Sequence, residues 1–338
     1  MGSALAFPAR ENGHEVRLVG THLDSGIIDT CRSTNRHPKL PVPFPEGVSF
    51  HRVEEAEAAI KGADLVIGGV SSFGVSWFGD RILPLIPEDT PVLSVTKGLM
   101  DLEDGTLITY PELWKRKLAE RGKKLSLNAV GGPCTSYELA QHDQTEVAFC
   151  GEDPEILKRL RELLSTDYYH ISISTDVTGV ESAVALKNGY ALAVALTIGL
   201  NKAAYGDDSP FHYNSQAAVF GQAAREMKKL LDLQGAGSLD NLCVGIGDLY
   251  VTVYGGRTRL VGILLGKGYS IGEAKEELNG VTLESLVVAE RVARAVRKLS
   301  EAGRCDISEF PLLMCVDGII SEGKRCEIPW DSFRYEKI

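Results

Sequence analysis

No C-x-x-C pair occurs among the seven cysteines, and no H-x-x-x-H pair among the seven histidines. An odd cysteine count without those spacings argues against a zinc site or a disulfide framework and predicts reduced thiols in cores and loops. No metal site is expected. Positive charge is also scarce: 36 Lys+Arg stand against 46 Asp+Glu, a net charge of −10. That balance argues against a general nucleic-acid or anionic-membrane binder, yet it leaves room for a local basic pocket. Long hydrophobic runs are missing too. The longest weakly polar stretch, Gly189 to Leu200, has 12 residues, too short to span a bilayer. No charged-then-apolar leader opens the chain, so a cytoplasmic location is expected. What remains is 338 residues with 44% hydrophobic and 24% charged side chains, the composition of a soluble globular protein of about two domains.

The pattern changes once along the chain. Up to about residue 175, short β-branched runs alternate with helical segments. Candidate strands are 14–19, 64–70, 91–96, 125–130, 146–150 and 170–174; candidate helices are 3–12, 53–61, 111–121 and 154–164. Apolar runs without strict alternation, such as Leu65-Val66-Ile67, suit strands covered on both faces, as in a parallel sheet. After Asp176 the segments 180–204, 215–233, 271–278, 286–302 and 311–321 all read as helices. Val219, Phe220, Ala223, Met227 and Leu230 form one apolar stripe, and Ser270-Ile271-Gly272-Glu273 has the form of a capping box. The expectation is an α/β protein: an N-terminal Rossmann-type parallel-sheet domain over 1–178 and an all-α domain over 179–338.

Five segments carry chemistry-bearing residues. Met1-Gly2-Ser3-Ala4-Leu5-Ala6 followed by Asn12-Gly13-His14-Glu15-Val16 reads as the first helix and second strand of a Rossmann unit. The strand and first two glycines of G-x-G-x-x-G that precede such a helix are absent, and the natural chain is expected to start upstream of Met1. Ser94-Val95-Thr96-Lys97-Gly98-Leu99 ends a strand, where α/β sheets present their ligands. Lys97 is there either a solvated lysine or a cation offered to a phosphate or ribose. Gly131-Gly132-Pro133-Cys134-Thr135-Ser136 forms a turn whose N–H groups suit an anion. In Val180-Glu181-Ser182-Ala183-Val184-Ala185-Leu186-Lys187-Asn188, a lysine interrupts a mainly small and apolar helix. It either snorkels to the surface or faces a cleft with a partner. Gly245-Ile246-Gly247-Asp248 with Thr252, then Gly255-Gly256-Arg257-Thr258-Arg259, offer a carboxylate and a guanidinium. These are a turn aspartate and a basic loop, or an orienting carboxylate and a phosphate clamp.

On these motifs the chain, to about residue 325, resembles the NAD(P)-dependent glycerol-3-phosphate dehydrogenase family, particularly its prokaryotic branch. The resemblance implies reduction of dihydroxyacetone phosphate with NAD or NADP as cofactor. It implies Lys187, Asp248 and Lys97 as the catalytic set. Substrate would be bound by Lys97, Gly132, Cys134, Thr252, Gly256, Arg257 and Thr258. Cofactor would meet Met1, Gly2, Lys97, Ser136, Arg257 and Glu284. Departures are Cys134 and Ser136, where Ser and Ala are commoner, Thr258 for Asn, Ser285 for Gly, and Gln222 for a frequent Arg near the substrate side. They keep open a same-fold dehydrogenase for another phosphorylated ketone or a 2-hydroxy acid, or a non-catalytic homologue that has lost dinucleotide binding. Val19-Gly20-Thr21-His22 offers neither the acid that favours NAD nor the arginine that favours NADP. The expected partner is a small phosphorylated substrate, with no nucleic acid and no membrane span. An exposed apolar helix face in the second domain would make a homodimer unsurprising.

Overall fold

A computed structural model of the chain describes every residue except Phe211, Gly256, 279–283 and 334–338. Nine strands occur among the described residues: β1 (Val16–Val19), β2 (Val48–His51), β3 (Val66–Gly68), β4 (Val92–Ser94), β5 (Leu99–Asp101), β6 (Leu107–Thr109), β7 (Leu127–Gly131), β8 (Thr145–Cys150) and β9 (Tyr169–Ser174). The first seven α-helices are α1 (Ala6–Glu11), α2 (Ser25–Thr34), α3 (Ala56–Ile60), α4 (Val75–Arg81), α5 (Tyr110–Glu120), α6 (Ser136–Leu139) and α7 (Pro154–Leu164). The rest are α8 (Val177–Tyr205), α9 (Tyr213–Leu233), α10 (Leu239–Gly255), α11 (Arg257–Gly266), α12 (Ile271–Glu277), α13 (Glu284–Glu301) and α14 (Pro311–Glu322). Contacts group the chain into two units, Met1–Lys97 with Tyr110–Glu181, and Gly98–Thr109 with Ser182–Ile338.

The first unit carries the sheet, in two pieces. β1 and β2 pair in parallel, Val16 opposite Val48, while β3-β4-β7-β8-β9 form a five-stranded sheet in that order. Leu93, Phe149 and Tyr169 are wholly buried on its strands, and Leu157, Leu160 and Leu164 of α7 pack against them. α7 starts where Pro154 follows an Asp153 carboxylate that accepts from the N–H of Glu155, a strong N-cap. The expected parallel sheet is corrected in one place. β8 runs antiparallel to β7, Ala129 opposite Cys150, because apolar runs report burial and not strand direction.

Among its described residues the second unit has one hairpin and is otherwise helical. β5 and β6 pair antiparallel, and α13 holds them: Arg294 makes a two-pronged contact with Asp101 at 2.6 and 2.9 Å, and Arg291 donates to the Leu99 carbonyl at 3.0 Å. The Ser270–Glu273 capping box forms as its spacing predicts. α8 is longer than its uncharged stretch suggested. With 29 residues and a mean hydropathy of 1.5 in its most apolar window it has the length and composition to cross a membrane, yet 89% of that window is buried inside the protein. It is a core helix. Glycines set how closely its neighbours approach: a Cβ on Gly262 would lie 2.5 Å from the Ala195 methyl, and one on Gly266 would lie 2.2 Å from the Leu196 carbonyl. α8 and α11 therefore touch through backbone.

Candidate active site

In the first unit, the residues after β4 are held inward. Thr96 donates its hydroxyl to the Val70 carbonyl at 2.6 Å, and the next side chain, Lys97, donates to the carbonyl of Gly132 at 3.0 Å. Gly132 follows β7 with φ +128°, and a Cβ there would meet the Val147 Cα at 3.1 Å and the Glu146 carbonyl at 3.2 Å. Only glycine turns the chain here at low cost. Beyond it, Cys134 is half-buried and Ser136 opens α6, while Thr135 and Glu138 bond side chain to side chain at 2.5 Å across the turn. Lys97 and Gly132, singled out separately in the sequence, are thus one contact. Met1 and Gly2 lie at a 3-10 turn before α1. A Cβ on Gly2 would sit 2.8 Å from the Cα of Gly69, just past β3, which is the close helix–strand packing a nucleotide-binding turn requires.

In the second unit, Lys187 and Asp248 form an ion pair between α8 and α10, with the carboxylate fully buried and the lysine nearly so. The local sequence explains how they reach each other. Gly245 lies one turn before Asp248 and Ala183 one turn before Lys187; a Cβ on Gly245 would come within 2.9 Å of the Ala183 methyl. Small residues bring the two helices together where the pair forms. Thr252 donates its hydroxyl to the Asp248 carbonyl at 2.7 Å, stiffening the same turn. Arg257, exposed, and Thr258, buried, begin α11, whose first turn has no acidic residue. Arginine at a helix N-terminus opposes the macrodipole, an arrangement that suits a bound anion. Gly256 lies outside the described residues. Glu284 is the first residue of α13, and its side chain also lies outside them.

Among the described residues two buried glutamates carry no assigned role from the sequence. Glu226 accepts from Gln222 at 2.9 Å, from the N–H groups of Leu312 and Leu313 at 2.8 and 2.9 Å, and from the Tyr190 hydroxyl at 3.1 Å. It caps α14, and burial still pushes its carboxyl up. Gln222, expected near the substrate side, is buried and donates to Glu226. Glu181 is fully buried, and neither of its oxygens has a hydrogen-bond partner among the described residues. Burial pushes it up to about 8, with Lys97 pulling the other way. Its motif was visible in the sequence, but its isolation was not. Among the described residues no cluster of His, Cys, Asp and Glu is arranged to hold a metal ion.

Residues 1–157 match the family model for the N-terminus of NAD-dependent glycerol-3-phosphate dehydrogenase, and residues 176–330 match its C-terminus. The NADP(+)-dependent glycerol-3-phosphate dehydrogenase of Archaeoglobus fulgidus is 33% identical over 332 residues, covering 97% of this chain and 94% of the relative. The glycerol-3-phosphate dehydrogenase [NAD(P)+] of Desulfotalea psychrophila is 31% identical, covering 96% and 91%. Among solved structures, the glycerol-3-phosphate dehydrogenase of Coxiella burnetii is similar with a TM-score of 0.77 at 24% identity, covering 98% of this chain and 94% of that one. That likeness is one of fold.

Proposed function

The chain belongs to the NAD-dependent glycerol-3-phosphate dehydrogenase family, and on that premise we propose that it is an oxidoreductase interconverting dihydroxyacetone phosphate and sn-glycerol 3-phosphate with NAD or NADP. The observation that carries this reading is the buried Lys187–Asp248 pair. Reducing a ketone requires a proton on its oxygen as well as a hydride on its carbon. Lys187 supplies the proton from Nζ, and its ammonium stabilises the charge that develops on that oxygen. Asp248 holds the ammonium in place. Arg257 and Thr258 take the phosphate at the start of α11; Gly256, outside the described residues, shares that assignment, and Thr252 binds substrate beside the pair. The family resemblance assigns Lys97, Gly132 and Cys134 to the substrate as well.

Residues 1–178 serve the cofactor and 179–338 the substrate and catalysis. The backbone contact of Gly2 with Gly69 fits a nucleotide-binding turn, and Met1, Gly2, Lys97, Ser136, Arg257 and Glu284 would hold the cofactor. When bound, that cofactor supplies the hydride equivalent. The proposed setting is cytoplasmic, where the seven thiols would stay reduced. A homodimer would cover the exposed Leu239, Tyr250 and Tyr254 of α10, and sedimentation reads it directly.

Lys187→Ala tests the central role. Turnover should fall by about 10²–10⁴, the size of a lost acid or base; a loss within tenfold would remove Lys187 from the chemistry. Thr258 and Cys134 favour one competing reading, a different phosphorylated ketone or a 2-hydroxy acid. A panel of such substrates with NADH and NADPH separates the two readings.

A further inference from the structure

Hydrophobic contact has no direction, and α8 is packed mostly by such contact. Ala183, Ala185, Ala191, Ala193 and Ala195 are wholly buried along it, so small methyls face its neighbours and do little to fix its rotation or its height. Hydrogen bonds weaken steeply when their geometry is disturbed, and they can fix both. Three of them join α8 to α9 and the residue after it. The Ser182 hydroxyl donates to Gln234 Oε1 at 2.8 Å, the Tyr190 hydroxyl to Glu226 Oε2 at 3.1 Å, and Asn201 Nδ2 to Ser215 Oγ at 3.0 Å. Lys187 lies between the first two, one turn before Tyr190.

Glu226 is a fixed post for that bond. It is wholly buried, and its Oε1 accepts from Gln222 and from the N–H of Leu312, its Oε2 from the N–H of Leu313 and from Tyr190. Four donors on two oxygens fit an ionised carboxylate. The two N–H groups alone would cap α14; the bond to Tyr190 leaves that helix and reaches α8. Gln222 is itself held, since Arg225 donates to its Oε1 at 3.2 Å. We propose that Glu226 is a positioning residue for Lys187: by holding the Tyr190 hydroxyl it fixes the turn of α8 that presents Lys187 to Asp248. The inference rests on the proposed function only in taking Lys187 as the proton donor.

The test uses the full chain carrying ¹³C at its lysine Cε positions, followed by NMR without ligand. The Lys187 signal is assigned with Lys187→Arg. Tyr190→Phe removes the bond to α8 while keeping the aromatic ring and the α14 cap, so a moved Lys187 signal reports displacement of that turn. The signal should move in Tyr190→Phe and in Glu226→Gln. It should stay still in Val316→Ala, which trims a buried side chain of α14 and lowers stability without touching the bond. In parallel, kcat for dihydroxyacetone phosphate should fall by about ten- to a hundredfold in Tyr190→Phe, the scale of a slightly misplaced group. KM should not change, the pattern of an interaction made only in the transition state. A Lys187 signal unmoved in Tyr190→Phe, or a kcat no lower than that of Val316→Ala, overturns the proposal and leaves Glu226 as the cap of α14. If the parent turns over no dihydroxyacetone phosphate with either cofactor, the substrate reading fails instead, and the Lys187 signal still decides the role of Glu226. Should one of the two variants not fold, the other gives the decision.

Discussion

Two fully buried carboxyls, Asp248 on α10 and Glu181 on α8, meet burial in opposite ways. Asp248 on α10 is fully buried and keeps its charge company with Lys187, contributed by α8. Glu181, in the first turns of α8, is equally buried and has no hydrogen-bond partner among the described residues. A cation lies against the first group; burial pushes the second one's carboxyl up, with Lys97 pulling only weakly the other way. Burial alone therefore does not tell what a carboxyl does. The position of the lysine decides it.

The largest effect is expected from breaking the paired carboxyl. Asp248→Ala strands the Lys187 ammonium in the interior, and removing one partner of a buried ion pair costs about 3–5 kcal/mol. Denaturant unfolding at pH 7 reads this loss. The double variant Lys187→Met with Asp248→Leu should recover most of it, since apolar replacement of both partners is often neutral, while remaining inactive. If the double variant is as unstable as the single one, the pair is not what holds that turn.

Glu181 should respond with the opposite sign. Its folded-state carboxyl is raised to about 8 from an ordinary value of 4.5. Below the lower value both states are protonated. Between the two, the unfolded chain has lost its proton and the folded chain keeps it, so stability falls as pH rises, by about 1.4 kcal/mol per pH unit at most. Glu181→Gln removes that slope. Thermal melts should show the variant gaining on the parent between pH 5 and 8, with no further gain above that. A gap that does not change with pH would make Glu181 an ordinary buried anion, and the contrast with Asp248 would vanish.

The same contrast marks how far the sequence could be read. Strands β3, β4, β7, β8 and β9 and helices α5 and α7 were legible, because each is an apolar run of the right length between turn residues. α7 also announces itself with Asp153-Pro154. Strand β2 was passed over as too short and too polar at Ser49 and His51. The β5–β6 hairpin was missed because Lys97-Gly98-Leu99 reads as a plain turn, and the ion pair of Asp101 with Arg294 that secures it spans 193 residues. Helices α10 and α11 are not among the helices the pattern predicts, because Gly245, Gly247 and Gly255 interrupt it. In the structure Gly245 is a helix residue, kept small by the methyl of Ala183. Lys187 and Asp248 stood out as charges among small residues. Glu181 stood in a motif too, but a missing partner is a property of the assembled core, and one-dimensional pattern does not carry it.

The smallest effect sharpens the paired side of the comparison. Thr252 donates its hydroxyl to the backbone carbonyl of Asp248 at 2.7 Å, so within the helix it acts on the turn and not on the carboxylate. The hydroxyl oxygen keeps lone pairs to offer, and the family resemblance gives them to substrate. Thr252→Val keeps the shape and removes the hydroxyl. One neutral hydrogen bond contributes about 0.5–1.5 kcal/mol, which corresponds to a rise in KM of roughly two- to twelvefold, with kcat nearly unchanged because Lys187 and Asp248 are intact. Steady-state kinetics at saturating cofactor separates the two constants. A fall in kcat with KM unmoved would mean that the hydroxyl positions Asp248 for the chemical step, and Thr252 would then belong with the ion pair and not with the substrate.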